Sequence, residues 1–184
     1  MSQVGLFGVC CEWLMFAGFG ARGLVGEPKD INSLGVRWKR GLVMGAGKVA
    51  VGRCFFVRAQ HDSDLIEFVT EFAKKNSIAL AAFTAIGALK SAKLGFYDQT
   101  KHEYVGAVLS VPMEMASCVG NVSLKDGLPF VHAHVVLSHR DETVRGGHLL
   151  EGRVFAAEIH LTEYLEAEIV RKPDPVTGLS LWDI

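Results

Sequence analysis

The chain has 184 residues, 49% of them hydrophobic and 21% charged, with a formal net charge of -1. That length and balance predict one globular domain with a sizeable core and exclude a disordered chain. The near-neutral charge, with no long Lys/Arg run, gives no electrostatic drive toward nucleic acid or an anionic membrane. Residues 1–44 are Gly-rich, and their apolar stretch at 4–19 is broken by Glu12. No basic segment precedes that stretch, and it falls short of the about 20 apolar residues of a membrane span. Residues 1–44 are read as a poorly ordered extension, ahead of a domain over 45–184. Cys10, Cys11, Cys54 and Cys118 show no CxxC and no disulfide framework. They are read as buried free thiols in a reducing, cytoplasmic setting.

Residues 48–59, KVAVGRCFFVRA, predict a strand. Asp62 or Ser63 is placed to cap a helix, with Asp64 and Glu67 in a first turn that favours negative charge. Leu65, Val69, Phe72 and Ala73 form one apolar stripe, helped by Ile66 and Phe68. Lys74 and Lys75 close the helix, with Asn76 as a left-handed cap. Residues 78–89, IALAAFTAIGAL, predict a buried strand with Gly87 at a turn or bulge. Residues 94–98 and 103–110 flank QTKH as a hairpin and leave His102 exposed and without a role. Residues 111–124 predict a further strand, ended by the turn signal of Lys125, Asp126 and Gly127.

The next stretch, 129–150, is PFVHAHVVLSHRDETVRGGHLL. His132 and His134 are two apart on a predicted strand, so both side chains leave it on one side. The polar SHRDET segment reads as a turn. His148 joins the pair only if the returning strand sets it opposite His132 or His134, which centres the turn on Arg140 or Asp141. A slip of one residue sends it to the far side. Three neutral imidazoles with an open fourth position suit Zn2+. The competing reading is a group of surface histidines without metal. Gly146 and Gly147 leave room for a ligand or for a close backbone approach.

Glu151 and Gly152 predict another turn. Residues 153–171 open with an alternation that puts Phe155, Ala157, Ile159 and Leu161 on one face. They are read as strand, though the later half also fits a helix. His160 faces the other way and is excluded from the site. Pro173 and Pro175 bar a continuing helix, and Trp182 packs the chain end on the domain. One helix and roughly seven or eight strands define an α+β domain with a mostly antiparallel sheet.

This order of segments resembles the PPC domain family of plants and prokaryotes. The resemblance is carried by FFVRAQHDSDLIEFVTEFAKKN, TAIGALKSAKLGFYD, PMEMASCVGNVSLKDGLPFVHAHVVL, VRGGHLLEGRVFAAEIHLTE and TGLSLW. It implies a compact α+β domain that assembles as a homotrimer. It also implies zinc bound through the histidine pattern that falls here on His132, His134 and His148. Plant members add AT-hooks with an Arg-Gly-Arg-Pro core. This sequence has none, so their DNA contact is not carried over. The family fold is similar to that of acetolactate decarboxylase, a three-histidine zinc enzyme, which is analogy at the level of fold alone.

Three readings follow, the first two being a trimeric zinc module with a regulatory or DNA-associated role and a small zinc-dependent lyase or hydrolase. A plain scaffold is the third. Chemistry at the metal needs a proton-transfer group, and Glu114 is the first candidate. Its competing reading is a strand carboxylate facing solvent or paired across the trimer. Arg145, near His148 in sequence, is the candidate for binding an anionic substrate. Its competing reading is an exposed turn charge. The sequence does not name the small molecule.

Overall fold

The computed structural model describes residues 47–184. The extension predicted over 1–44, with Cys10 and Cys11, lies outside the described residues. The elements are β1 (Ala50–Arg58), α1 (Leu65–Lys75), β2 (Ala81–Asp98), β3 (Glu103–Leu109), β4 (Met113–Lys125), β5 (Leu128–Ser138), β6 (Val144–Leu165), β7 (Val170–Pro173) and β8 (Ser180–Asp183). They form an 8-stranded sheet in the order β3-β2-β6-β5-β4-β7-β8, with β1 added on β6. Pairing is antiparallel except where β7 meets β4. β2 also pairs with β4, so β2, β6, β5 and β4 close on themselves. The architecture is the predicted α+β one, a mostly antiparallel sheet with one helix.

The core lies inside that ring of strands and under α1. Leu65, Val69 and Ala73 bury the helix stripe, which packs on β5 and β6. Phe72 stays half-buried and meets Phe55 edge-on at 5.2 Å. The cap is Asp64, not Asp62 or Ser63. One carboxylate oxygen of Asp64 accepts from the backbone N–H of Ile66 and Glu67 at 2.9 and 3.0 Å. The other accepts from Gly152 N–H at 2.6 Å and ties the helix to β6. Asp62 is drawn away by Lys90 at 2.7 Å and Arg153 at 3.3 Å. At the far end Asn76 has φ -99 and donates from its side chain to Phe72 O at 2.8 Å. The left-handed residue is Ser77, at φ 55.

β2 and β6 are longer than the sequence pattern suggests. β2 joins the segments read as 78–89 and 94–98 into one strand of 18 residues, starting at Ala81. β6 runs 22 residues straight through Glu151 and Gly152, where a turn was predicted. Bulges absorb what the sequence shows as breaks. One lies between Ala85 and Gly87, and Gly87 there has φ 142. A Cβ at Gly87 would sit 2.2 Å from Ala156 O, so glycine is required both by conformation and by space.

A second shift pairs Ala88 with Ala156 but Leu89 with Val154. Phe155 is the extra residue. It points outward, 58% exposed, while Val154 is buried, the reverse of the faces predicted for those two positions. Ala157, Ile159 and Leu161 point inward as expected. The later half of 153–171 contains no helix. Cys118 is buried, but Cys54 is exposed, because its position in β1 faces away from the core.

Glu163 is a buried carboxylate, 5% exposed. Arg53 holds it through Nε and Nη2 at 2.6 and 2.7 Å and through its backbone N–H at 3.2 Å. Those hydrogen bonds hold its carboxyl below the ordinary range against the opposing effect of burial. A pKa lower in the folded than in the unfolded state stabilises the fold above the ordinary carboxylate pKa. That contribution is lost as pH falls through the folded value. Glu163→Gln is therefore expected to flatten the decline of the urea midpoint between about pH 5 and pH 3. An unchanged slope would show that this pair is not coupled to folding.

Candidate metal centre

β5 and β6 make a hairpin closed over residues 139–143. His139 N–H donates to Thr143 O at 2.9 Å, and Glu142 N–H donates to His139 O at 2.9 Å. Asp141 accepts from the backbone N–H of Thr143 at 3.1 Å and from its hydroxyl at 2.7 Å. The resulting register pairs His134 with His148 and Leu137 with Arg145. This centres the hairpin on Asp141, one of the two registers that unite the histidines. Val131, Ala133, Val135 and Leu137 point into the core. By alternation His132 and His134 leave on the outer face, and His148 follows as the directly opposed residue.

The three rings converge. Their centroids lie 5.2 Å apart for His132–His134, 4.9 Å for His132–His148 and 5.5 Å for His134–His148. One nitrogen from each lies within 4.8 Å of the others. A cation about 2.0–2.1 Å from each nitrogen in tetrahedral geometry would set them roughly 3.3–3.4 Å apart, closing the widest pair by up to about 1.4 Å. Burial, and then the neighbouring His148, Arg171 and His134, push His132 down to about 4. Burial, then His134 and Arg171, also lowers His148. Both shifts favour the neutral imidazole, which keeps the lone pair that ligation uses. The residues present fit a zinc ion.

Neighbouring strands complete the surroundings. On the side away from β5, His148 pairs with Gly95 of β2. A Cβ on Gly95 would lie 3.0 Å from the Tyr104 ring. Its absence lets Tyr104 of β3 lean across β2, with its centroid 5.2 Å from His148. Gly147 provides a close backbone approach rather than ligand space: a Cβ there would be 3.1 Å from Gly95 O.

On the other flank stands Arg171 of β7, which the sequence reading did not single out. Its Nη2 donates at 2.9 Å to the side chain of Asn121, the residue paired with His132. Its Nε donates to Ser123 Oγ at 2.9 Å. Trp182 Nε1 reaches the same hydroxyl at 3.3 Å, which is how the chain end packs back.

The other predicted candidates stand elsewhere. Glu114 is exposed and pairs with Ala88 and Ser138. It lies five residues along β4 from the partner of His134, on the order of 16 Å away at 3.3 Å per residue. Arg145 is an odd number of residues from His148 on an unbroken stretch and faces the opposite way. His160 shares the outer face, three strands away along one row of pairings, and stacks on Phe56 at 4.7 Å. His102 is exposed in the β2–β3 turn at φ 56.

Residues 46–165 match the Plants and Prokaryotes Conserved (PCC) domain. The chain is similar to a plant- and prokaryote-conserved (PPC) protein from Pyrococcus horikoshii, with 43% identity and a TM-score of 0.74. That alignment covers 77% of this chain and 98% of the other. A metal-containing protein from Archaeoglobus fulgidus aligns at 42% identity and a TM-score of 0.73, over 76% and 99% of the two chains. A curated relative, the bifunctional protein GlmU of Synechococcus sp., is 32% identical over 129 residues, 68% of this chain. The chain spans only 20% of that protein's length, so GlmU's activities do not transfer with the match. On the strength of a domain match over most of its length, the chain belongs to the Plants and Prokaryotes Conserved (PCC) domain family.

Proposed function

We propose that this chain is a zinc-binding module that assembles as a homotrimer. The observation that carries the metal reading is the convergence of His132, His134 and His148 on one point of the outer face. Three imidazoles with no thiolate or carboxylate among the described residues at the site are a donor set suited to zinc. The likeness to the Archaeoglobus metal-containing protein supports the same reading. When bound, zinc supplies Lewis acidity, or a water whose pKa lies near 7. The chain's part is to hold the three imidazoles together, His132 and His148 half-buried and His134 exposed. Elemental analysis of protein purified without a histidine tag is expected to find close to one zinc per chain. Zinc far below that level would overturn the metal reading.

Self-assembly is supported by the same outer face. Phe56 is 88% exposed, Ile86 57% and Val119 56%. Val119 pairs directly with His134, so the apolar surface adjoins the metal centre. Exposed apolar side chains set along one sheet face, here interspersed with Thr84 and His160, mark an interaction surface. Light scattering is expected to give three times the 20.0 kDa chain mass. A stable monomer would refute the assembly.

The formal charge of -1 and the lack of an Arg-Gly-Arg-Pro core in this sequence lend no support to duplex DNA as a partner. A second reading, a small zinc-dependent lyase or hydrolase, rests on the cation Arg171 beside the same histidines.

A further inference from the structure

We infer that the three histidines, Arg171 and Tyr104 form one site for a small organic carboxylate. This rests on the metal reading above. Arg171 is 8% exposed. Burying a guanidinium is costly without a counter-charge, yet no carboxylate among the described residues lies within ion-pair distance of it. Its partners are all neutral: Ser123 Oγ, Asn121 Oδ1 and, at 3.0 Å, Ser180 O. The rings of Phe130 and Trp182 lie 5.2 and 5.8 Å from its guanidinium carbon. By contrast the buried carboxylate Glu163 is balanced within the chain by the half-exposed Arg53. Arg171 is fixed in place and left without a counter-ion.

Its position gives that charge a use. A guanidinium has five N–H groups, and the three contacts just named leave two unassigned. Asn121, which holds Nη2, is the cross-strand neighbour of His132. Tyr104 bounds the cluster on the opposite side, against His148. With a divalent ion on three neutral imidazoles, the site would carry two positive centres and no acid of its own. A carboxylate answers both: one oxygen at the open metal position and the other toward the two unassigned N–H groups of the arginine. Phe130, Trp182 and Tyr104 wall the site with aromatic surface, which suits an organic body over a bare inorganic ion.

The test uses the full chain loaded with cobalt(II), whose visible spectrum reports ligands arriving at the metal. Glycolate is the probe and glycolamide its neutral counterpart. Glycolate is expected to shift the spectrum and to bind at least about tenfold more tightly than glycolamide. Arg171→Gln is expected to lose about tenfold or more in glycolate affinity, the worth of a charged hydrogen bond, at unchanged metal content. Because Arg171 also ties β7 and β8 to β4, Arg171→Lys is measured beside it. That variant keeps the charge but not the fork and is expected to fall between the two. Variants that bind glycolate as the parent does, at full metal content, would overturn the carboxylate site and leave the metal centre standing. A parent chain that takes up no metal would remove both.

Discussion

His132→Ala is expected to lose most of the bound zinc while the domain still folds. The ring is half-buried on the outer face, and its removal opens no cavity among the residues that fill the core. It sits closest to the centre of the cluster, 4.9 Å from His148 and 5.2 Å from His134. Removing it leaves two imidazoles. Changes to groups that merely support ligands already cost about 10–100-fold in metal affinity, so loss of a ligand should cost on the order of 100-fold or more. Equilibrium dialysis against buffered zinc measures it, with His160→Ala as a control. His160 stacks on Phe56 in a separate part of the same face and should leave zinc affinity unchanged. Full zinc retention by His132→Ala would place the metal elsewhere.

The second large effect concerns the frame. Gly87→Val is expected to destabilise the domain by about 3 kcal/mol or more, from strain at a positive φ together with backbone overlap. The added Cβ would meet Ala156 O at 2.2 Å, and valine is β-branched at a residue with φ 142. The neighbours are backbone atoms of β6 and cannot swing aside. At several degrees per kcal/mol, thermal unfolding should fall by roughly 10 °C. Gly106→Ala is the matched control, since a Cβ there finds its nearest atom, Leu94 O, at 3.6 Å. A Gly87→Val protein that melts within about 2 °C of the parent would show that the bulge can open. Because β2 lies between β4 and β6, such opening would also disturb the strands that carry the site.

The histidine trio was legible because two simple periodicities decide it. A spacing of two on a strand fixes one shared face, and one short hairpin brings His148 across. The register could be narrowed to two choices, and the structure takes the one centred on Asp141. Arg145 shows how nearness in sequence misleads: an odd offset on an unbroken strand sends a side chain to the far face. Arg171 was invisible for a different reason. It sits on a strand of four residues whose parallel pairing with β4 is long-range. No local pattern in VRKP points to Asn121, 50 residues earlier.

The fold class followed from the alternation of apolar residues and the turn signals, but bulges hid the true lengths of β2 and β6. Phe155 and Val154 exchanged faces because a bulge shifts alternation by one, and alternation alone cannot announce it. The cap moved to Asp64 because Asp62 has two cations within reach, a tertiary choice between nearby carboxylates.

Diffraction from crystals of untagged, zinc-loaded protein, recorded on both sides of the zinc absorption edge, tests the metal centre most directly. The expected result is one anomalous peak about 2.0–2.1 Å from a nitrogen of each of His132, His134 and His148. A peak elsewhere on the chain, or one touched by fewer than two of these rings, would contradict it.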